Sequence, residues 1–536
     1  MAAQNGRYHY QQQMPFARQP LKAIYVVQRM FTTLLMVPFW VVFYAIIPRR
    51  YRPRESWSIK QIVAVNFTRR IYKVTELAGV TWGTRDPEET CDNRTLKETR
   101  FEWVDPLPED LRTGIVTDDQ VPLKRVGVFV WPKNSDQGIA HAEGSESALT
   151  TPTDIDATAI DVPLIGIFMH GGGYCHMSAH EKSPTSRIPR QLIKNKAFAN
   201  IYAVEYRLLQ HAPFPAAVQD AAAVYAHIVR QHQRRPPSTT TDSQQSVSQS
   251  PKGEEPEHSE PVKVGDSADG VQHRQGEDDL RRRVALASQN NQCKVVLIGD
   301  SAGGNLVLAL SRWIRDEGIL PPPDGLLLLS PSCDPSHAFP DTPSSYVPRP
   351  HAKTDYLVDT PEPRALLQRT FLGHNSLETM HSPYVSPASQ RVLSAFYGDA
   401  FAETVQDLTI ERLNTMVRDH LRTMESAPAT PVPVMPSAVD GNGVERSPTS
   451  LASPLIASPR GLSLFSEFPK TCIVLGDAER LEREVMKLVG AMERDGVDVR
   501  TIWVKDGAHD VLMMGWWDER VRAKVWRDIG EWIKEI

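Results

Sequence analysis

The segment Lys294–Asn305, Lys-Val-Val-Leu-Ile-Gly-Asp-Ser-Ala-Gly-Gly-Asn, constrains the fold of this chain more than any other. Val295 to Ile298 is a short apolar run of β-branched type that stops at Gly299, the pattern of a buried strand. A helix-competent stretch, Leu306 to Ile314, follows Asn305. Ser301 is therefore expected on a sharp strand-to-helix turn, flanked by Gly299 and Gly303, where strand and helix approach too closely for a Cβ. Gly-x-Ser-x-Gly in that setting lifts a serine hydroxyl above the end of a sheet and aims it at a helix N-terminus, which suits a nucleophile. The five-residue pattern alone has little weight in 536 residues; the strand before it and the helix after it supply the weight.

Two further motifs fit the same chemistry. Upstream, the apolar run Leu164 to Met169 ends in His170-Gly171-Gly172-Gly173-Tyr174. Acyl transfer places negative charge on the former carbonyl oxygen, and each backbone N–H aimed there is worth roughly 10²–10³ in rate. A run of glycines lets the backbone come that close. Downstream, a predicted strand (Val497 to Val504) leads into Asp506-Gly507-Ala508-His509-Asp510 and then a C-terminal helix. His509, last in a serine, acid, histidine order, is the expected general base.

On these residues the chain resembles the hormone-sensitive lipase group of α/β-hydrolases, from about Phe101 to Ile536 apart from three inserts. Tyr206-Arg207-Leu208 with Phe214-Pro215-Ala216-Ala217 and Asp220, and Ser382-Pro383-Tyr384-Val385-Ser386-Pro387, are also similar to that group. The resemblance implies an α/β-hydrolase fold, a mostly parallel central sheet flanked by helices with an N-terminal helical cap. It also implies an oxyanion hole made by the backbone N–H groups of Gly172, Gly173 and Ala302. The acid departs from the group's pattern. After the predicted strand Thr471 to Leu475 come Gly476-Asp477-Ala478-Glu479-Arg480-Leu481, and Glu479 stands where the group commonly has Asp. Triads accept either acid, so Glu479 is the expected partner of His509. Asp477 is the alternative, and both residues would also suit a helix start for its dipole alone.

Three polar stretches interrupt the pattern: Asn134 to Asp161, Gln231 to Gln292 and Ala427 to Gly461. Their composition offers too little apolar surface to offset ordering entropy, so they read as disordered inserts within one domain. The expected organisation is an N-terminal tail and anchor over 1–54, cap and linker helices over 55–100, and the catalytic domain over 101–536. A net charge of −5 provides no basic field for nucleic acid. Five scattered cysteines form neither a disulfide framework nor a zinc site, and no metal or cofactor is expected. Cys175, just after the glycine loop, is open to two readings, a reactive thiol or a small buried filler.

Met30 to Ile47 is 18 residues without a charge, preceded by Arg29 and followed by Arg49, Arg50, Arg52 and Arg54. As a helix it spans about 27 Å, near the thickness of a bilayer core, and lacks a small-residue cleavage site. It reads as an uncleaved membrane anchor, with Pro38 at mid-span. The positive-inside rule favours a cytosolic catalytic domain, whereas the resembled animal esterases place it in the endoplasmic reticulum lumen. The sequons at Asn66 and Asn93 do not decide between them. Trp57 to Val80 then reads as an amphipathic helix, either a cap over the acyl pocket or a plain packing element.

The expected activity is that of a membrane-anchored serine carboxylic ester hydrolase. The resemblance to arylacetamide deacetylase and steryl acetyl hydrolase types implies lipophilic short-chain acyl or acetyl esters as substrates and the endoplasmic reticulum membrane as location. Two alternatives are an amidase or formamidase of the same chemistry, and a non-catalytic ligand-binding protein on the same fold.

Overall fold

The computed structural model describes residues 14–79, 84–134, 162–232, 293–340, 346–358, 361–404 and 461–536. All but the outermost residues of the three polar inserts lie outside these segments, so the structure bears on them only at their ends.

Eight strands form one sheet: β1 (Arg100–Val104), β2 (Val126–Trp131), β3 (Leu164–Met169), β4 (Asn200–Glu205), β5 (Lys294–Asp300), β6 (Gly325–Leu329), β7 (Lys470–Gly476) and β8 (Val499–Val504). Their order is β1-β2-β4-β3-β5-β6-β7-β8. β1 and β2 pair antiparallel, as do β2 and β4; every later pairing is parallel. The central strands are buried on both faces and read as unbroken apolar runs, as parallel strands do. Strand order reverses between β3 and β5, the point where open α/β sheets leave a crevice at the carboxyl ends of their strands.

Helices cover the sheet: α1 (Leu21–Ile46), α2 (Ile59–Ala78), α3 (Arg187–Lys194), α4 (Ala216–His232), α5 (Ala302–Glu317), α6 (Pro361–Leu372), α7 (Gln390–Tyr397), α8 (Asp399–Thr404), α9 (Glu482–Arg494) and α10 (Glu519–Ile533). One apolar layer packs α4, α5 and α9 on one face of the sheet. The other sets α3 and α10 against the opposite face, with Trp526 and Trp532 buried in it. The buried Arg207 guanidinium donates to both carboxylate oxygens of Asp220 at 2.8–3.0 Å and fastens the exit of β4 to α4. Asn305 Nδ2 donates to the Val385 carbonyl, tying α5 to the Ser382–Pro387 loop.

The N-terminal helices differ from their expected bounds. The span predicted at Met30–Ile47 belongs to a longer helix beginning at Leu21, because Leu21, Ile24 and Val27 carry the apolar surface past Lys22 and Arg29. Among the described residues it is the one helix long and apolar enough to cross a membrane; Thr33 is its one buried residue, and Pro38 lies within it. A helix of this composition near an N-terminus fits an anchor and a signal sequence alike. It is tied to α2: Arg70 donates to the hydroxyls of Thr32 and Thr33, and Arg29 Nε donates to the Arg70 carbonyl. The second helix, predicted at Trp57–Val80, runs from Ile59 to Ala78. Ser58 caps it in a reciprocal box with Gln61, and Gly79 ends it at positive φ. Trp57 stands outside. Its indole donates to the Asp506 carbonyl at 2.9 Å and meets Trp517 edge-on.

Candidate active site

Five strands of the sheet deliver the site from their carboxyl ends. β3 leads into His170–Gly173, β5 into Ser301, β6 into Ser330, β7 into Glu479 and β8 into His509. Ser301 directly precedes the first residue of α5, so strand and helix are separated by one residue, tighter than the spacing expected from the sequence. Its backbone sits at φ 52° and ψ −115°, a conformation costing about 1–3 kcal/mol that only a rigid surrounding maintains. The surrounding is rigid. A Cβ on Gly303 would strike the Met169 carbonyl, and one on Gly299 would strike the Gly303 carbonyl. Ser301 N donates to the Leu329 carbonyl at 2.9 Å, and its own carbonyl accepts from Ser332 N at 3.0 Å.

The glycine loop is fastened to this turn. Asp300 Oδ1 accepts from Gly171 N at 2.9 Å, and Tyr174 donates to Asn305 at 2.9 Å. Tyr206 stacks on the His170 ring and donates to the His170 carbonyl at 2.5 Å. Burial holds the His170 imidazole neutral, its pKa lowered to about 4. Gly172 and Gly173 have φ of 105° and 63°, values that L side chains adopt rarely. Gly172, Gly173 and Ala302 line the same cavity as Ser301 and His509. Ala302 opens α5, so its N–H has no intrahelical partner.

His509 Nε2 lies 2.9 Å from Ser301 Oγ. Its Nδ1 faces Glu479 Oε2 at 4.0 Å, and neither Nδ1 nor Glu479 Oε1 has a hydrogen-bond partner elsewhere. Glu479 is fully buried and accepts from Ser330 Oγ at 2.7 Å; Ser330 Oγ also receives the Asp510 amide at 3.2 Å. Burial pushes the Glu479 carboxyl well above the usual range, opposed in part by the Ser330 hydroxyl. Burial, with the guanidinium groups of Arg349 and Arg364, lowers the His509 imidazole to about 3. Both shifts describe an uncharged pair at this separation. Closing the gap to a hydrogen bond would favour the ionised carboxylate.

Asp477 stands elsewhere. Its carboxylate accepts the Asp506 amide at 2.7 Å and pairs with Arg54 at 3.7 Å, on the outer side of the β7 and β8 loops. Cys175 is buried, its Sγ meets the Gly172 carbonyl at 3.4 Å, and burial pushes its pKa up to about 12, which fits the filler reading. Three residues at the site escaped the sequence reading. Asp300 lies inside the elbow motif and could have been found there. Ser330 had no local signal, because its role depends on β6 lying beside β7. Asp510, at φ 51°, places Oδ2 3.2 Å from the same His509 nitrogen that meets Ser301. Among the described residues no group of His, Cys, Asp or Glu has the geometry to hold a metal.

Residues 166–405 match the family described as alpha/beta hydrolase fold. Solved structures to which the chain is similar include a hormone-sensitive lipase from a metagenome library (16% identity, 76% of this chain and 82% of that chain, TM-score 0.39). They include an esterase/lipase from an uncultured bacterium (15%, 89% and 99%, TM-score 0.42). A third is carboxyl esterase 2 from the mycorrhizal fungus Tuber melanosporum (11%, 82% and 89%, TM-score 0.41). No curated protein matches the sequence. The family match and the sheet order class the chain as an α/β-hydrolase enzyme of the serine-hydrolase type.

Proposed function

We propose that this chain is a serine carboxylic ester hydrolase, held in a membrane by α1, that cleaves uncharged lipophilic esters with short acyl groups. The observation carrying this reading is the 2.9 Å contact between Ser301 Oγ and His509 Nε2, on a strained turn beside the glycine loop. In the mechanism, Ser301 Oγ attacks the ester carbonyl while its proton passes to His509 Nε2. The oxyanion faces the N–H groups of Gly172, Gly173 and Ala302. His509 returns the proton to the leaving alcohol, and water, activated by the same base, releases the acid from the acyl-enzyme. Glu479 orients the imidazole and stabilises its cation. Catalytic hydrogen bonds often tighten only when substrate is bound, so a Glu479 contact at 4.0 Å is compatible with that role.

Three observations support the remaining details. The cavity is walled by Tyr72, Tyr356, Leu367, Phe371 and Met513, which favour an apolar substrate. The hydrogen bonds between α1 and α2 join the apolar helix to the folded domain, which favours a retained anchor over a removed signal. The resemblance to arylacetamide deacetylase and steryl acetyl hydrolase types favours the endoplasmic reticulum membrane and acetyl or short-chain esters.

A fluorophosphonate probe and a pair of p-nitrophenyl acetate and p-nitroacetanilide assays test this. The wild type should be labelled and should prefer the ester. Ser301→Ala should not be labelled, and Ser301→Ala and His509→Ala should each lose about 10⁴-fold or more, the double variant being little worse because triad members act as a unit. Labelling of Ser301→Ala would overturn the assignment. A wild type inert to probe and substrates would be a binding protein, and faster anilide turnover would make it an amidase.

A further inference from the structure

A second cavity, of about 530 Å³, lies behind the loop that follows β6. That loop divides it from the reaction cavity. Ser332 and Pro335 line the space around Ser301, whereas Asp334 and Ser336 line this one, and no residue lines both. Its volume falls in the range of roughly 300–1,000 Å³ usual for small-molecule sites. No step of the proposed hydrolysis uses it.

Its walls are cationic. Arg349, Arg391, Arg480, Arg483 and Lys487 stand against three carboxylates, Asp334, Asp399 and Glu484, in a chain whose net charge is −5. Arg349 is matched by Glu484 at 2.7 Å, and Arg391 by Glu378 at 2.6 Å. Arg483 and Lys487 are not matched. They lie four residues apart on α9, one turn from each other on the same face, where like charges repel. Lys487 is only 7% exposed. Among the described residues its ammonium meets one acceptor, Gln390 Oε1 at 3.3 Å, and neither it nor Arg483 joins an ion pair. Glu484, three residues before it, is turned away. One carboxylate oxygen holds Arg349, and the other accepts the amides of Cys333 and Asp334 at 2.9 and 3.3 Å. Burial lowers the Lys487 pKa, opposed by Asp334 and Glu484 and reinforced by Arg483. A buried cation without a counter-ion costs free energy that a bound anion would recover.

We propose that this cavity binds a phosphate monoester, whose phosphate bridges Lys487 and Arg483. Two neighbouring cations suit a group that carries close to two charges and three acceptor oxygens. The space is larger than a bare phosphate needs, and Phe339, Tyr346 and Val347 give the organic part an apolar side. The same chemistry is offered by a phosphorylated small molecule in solution and by the head group of phosphatidic acid. Binding there is independent of whether Ser301 cleaves esters.

The test is calorimetric titration of the full-length protein in neutral detergent micelles with phenyl phosphate, dioctanoyl phosphatidic acid and benzoate. It is run at about pH 7.5, above the second phosphate pKa of about 6. Wild type should bind at least one of the two phosphates more tightly than benzoate, which has one charge and two oxygens. The tighter of the two names the source, solution or lipid. Lys487→Met should weaken phosphate binding about tenfold or more, the loss of one charge-assisted contact. Arg483→Gln, at an exposed position that does not threaten the fold, should do the same. Arg364→Gln, which alters a cation lining the reaction cavity, should leave binding unchanged. No binding of either phosphate, equal binding of benzoate, or binding unmoved by Arg483→Gln and Lys487→Met would overturn the site. Loss of binding in Arg364→Gln would also overturn it, by placing the phosphate beside Ser301.

Discussion

The Ser301 half and the His509 half of the candidate site are built to different standards. Around Ser301 the backbone is wedged: glycines at 299 and 303 face carbonyl oxygens directly, and Asp300 clamps the glycine loop at 2.9 Å. Around His509 the hold is made by side chains. Glu479 hangs from the Ser330 hydroxyl, 4.0 Å from the imidazole, with one oxygen unpartnered. The first half is set before substrate arrives and can tolerate a strained serine. In the proposed mechanism the second has room to draw together when charge develops on the imidazole, the moment at which an acid partner contributes most.

The largest effect that would break this contrast comes from exchanging the acids. Glu479→Gln should lower turnover by up to about 10⁴, since a neutral amide cannot stabilise the imidazolium and can favour the wrong tautomer. Asp477→Asn should stay within about tenfold, because its carboxylate answers Arg54 and the Asp506 amide rather than the imidazole. The reverse ranking in steady-state kinetics would move the acid to Asp477 and make the loose half a fiction. A smaller effect sharpens the comparison. Ser330→Ala removes one buried hydrogen bond to the carboxylate, and kcat should fall about tenfold with KM nearly unchanged. An unchanged kcat would mean that Glu479 is positioned by packing alone. The smallest concerns pH. In Glu479→Gln the residual activity reports the histidine without the Glu479 charge, with Asp510 Oδ2 still 3.2 Å from its Nε2. His509 is held below its ordinary pKa of about 6.5, to about 3, by burial and by Arg349 and Arg364. The neutral base therefore persists to lower pH, and kcat/KM should change little between pH 7 and 5.5. An acid limb at the ordinary histidine value would place the imidazole in contact with water, and one above it would mean that a neighbouring carboxylate, such as Asp510, is ionised beside it.

The same contrast explains what was legible beforehand. The apolar run Leu164–Met169 coincides with β3, because a strand in the middle of a parallel sheet is covered on both faces and is apolar throughout. The glycine loop and the elbow were legible because close backbone contacts admit glycine alone, which marks the sequence. Glu479 is a candidate by its place in a motif, yet its support from Ser330 crosses 149 positions and depends on strand order, which leaves no local trace. The start of α1 was misplaced for another reason. A search for uncharged residues stops at Arg29, whereas the helix continues through it because that guanidinium is satisfied on α2.

The short linker after α1 has a practical consequence. Arg54 donates to the Asp477 carbonyl and pairs with Asp477 and Asp506, and Trp57 seals against Asp506 and Trp517. Asp506 lies in the same β8 loop as His509. The polypeptide leaving the apolar helix is thus fastened to the loop that carries His509. A shortened form made by trimming the N-terminus should therefore be cut ahead of Arg54, because a cut beyond it would remove contacts that hold the loop carrying His509.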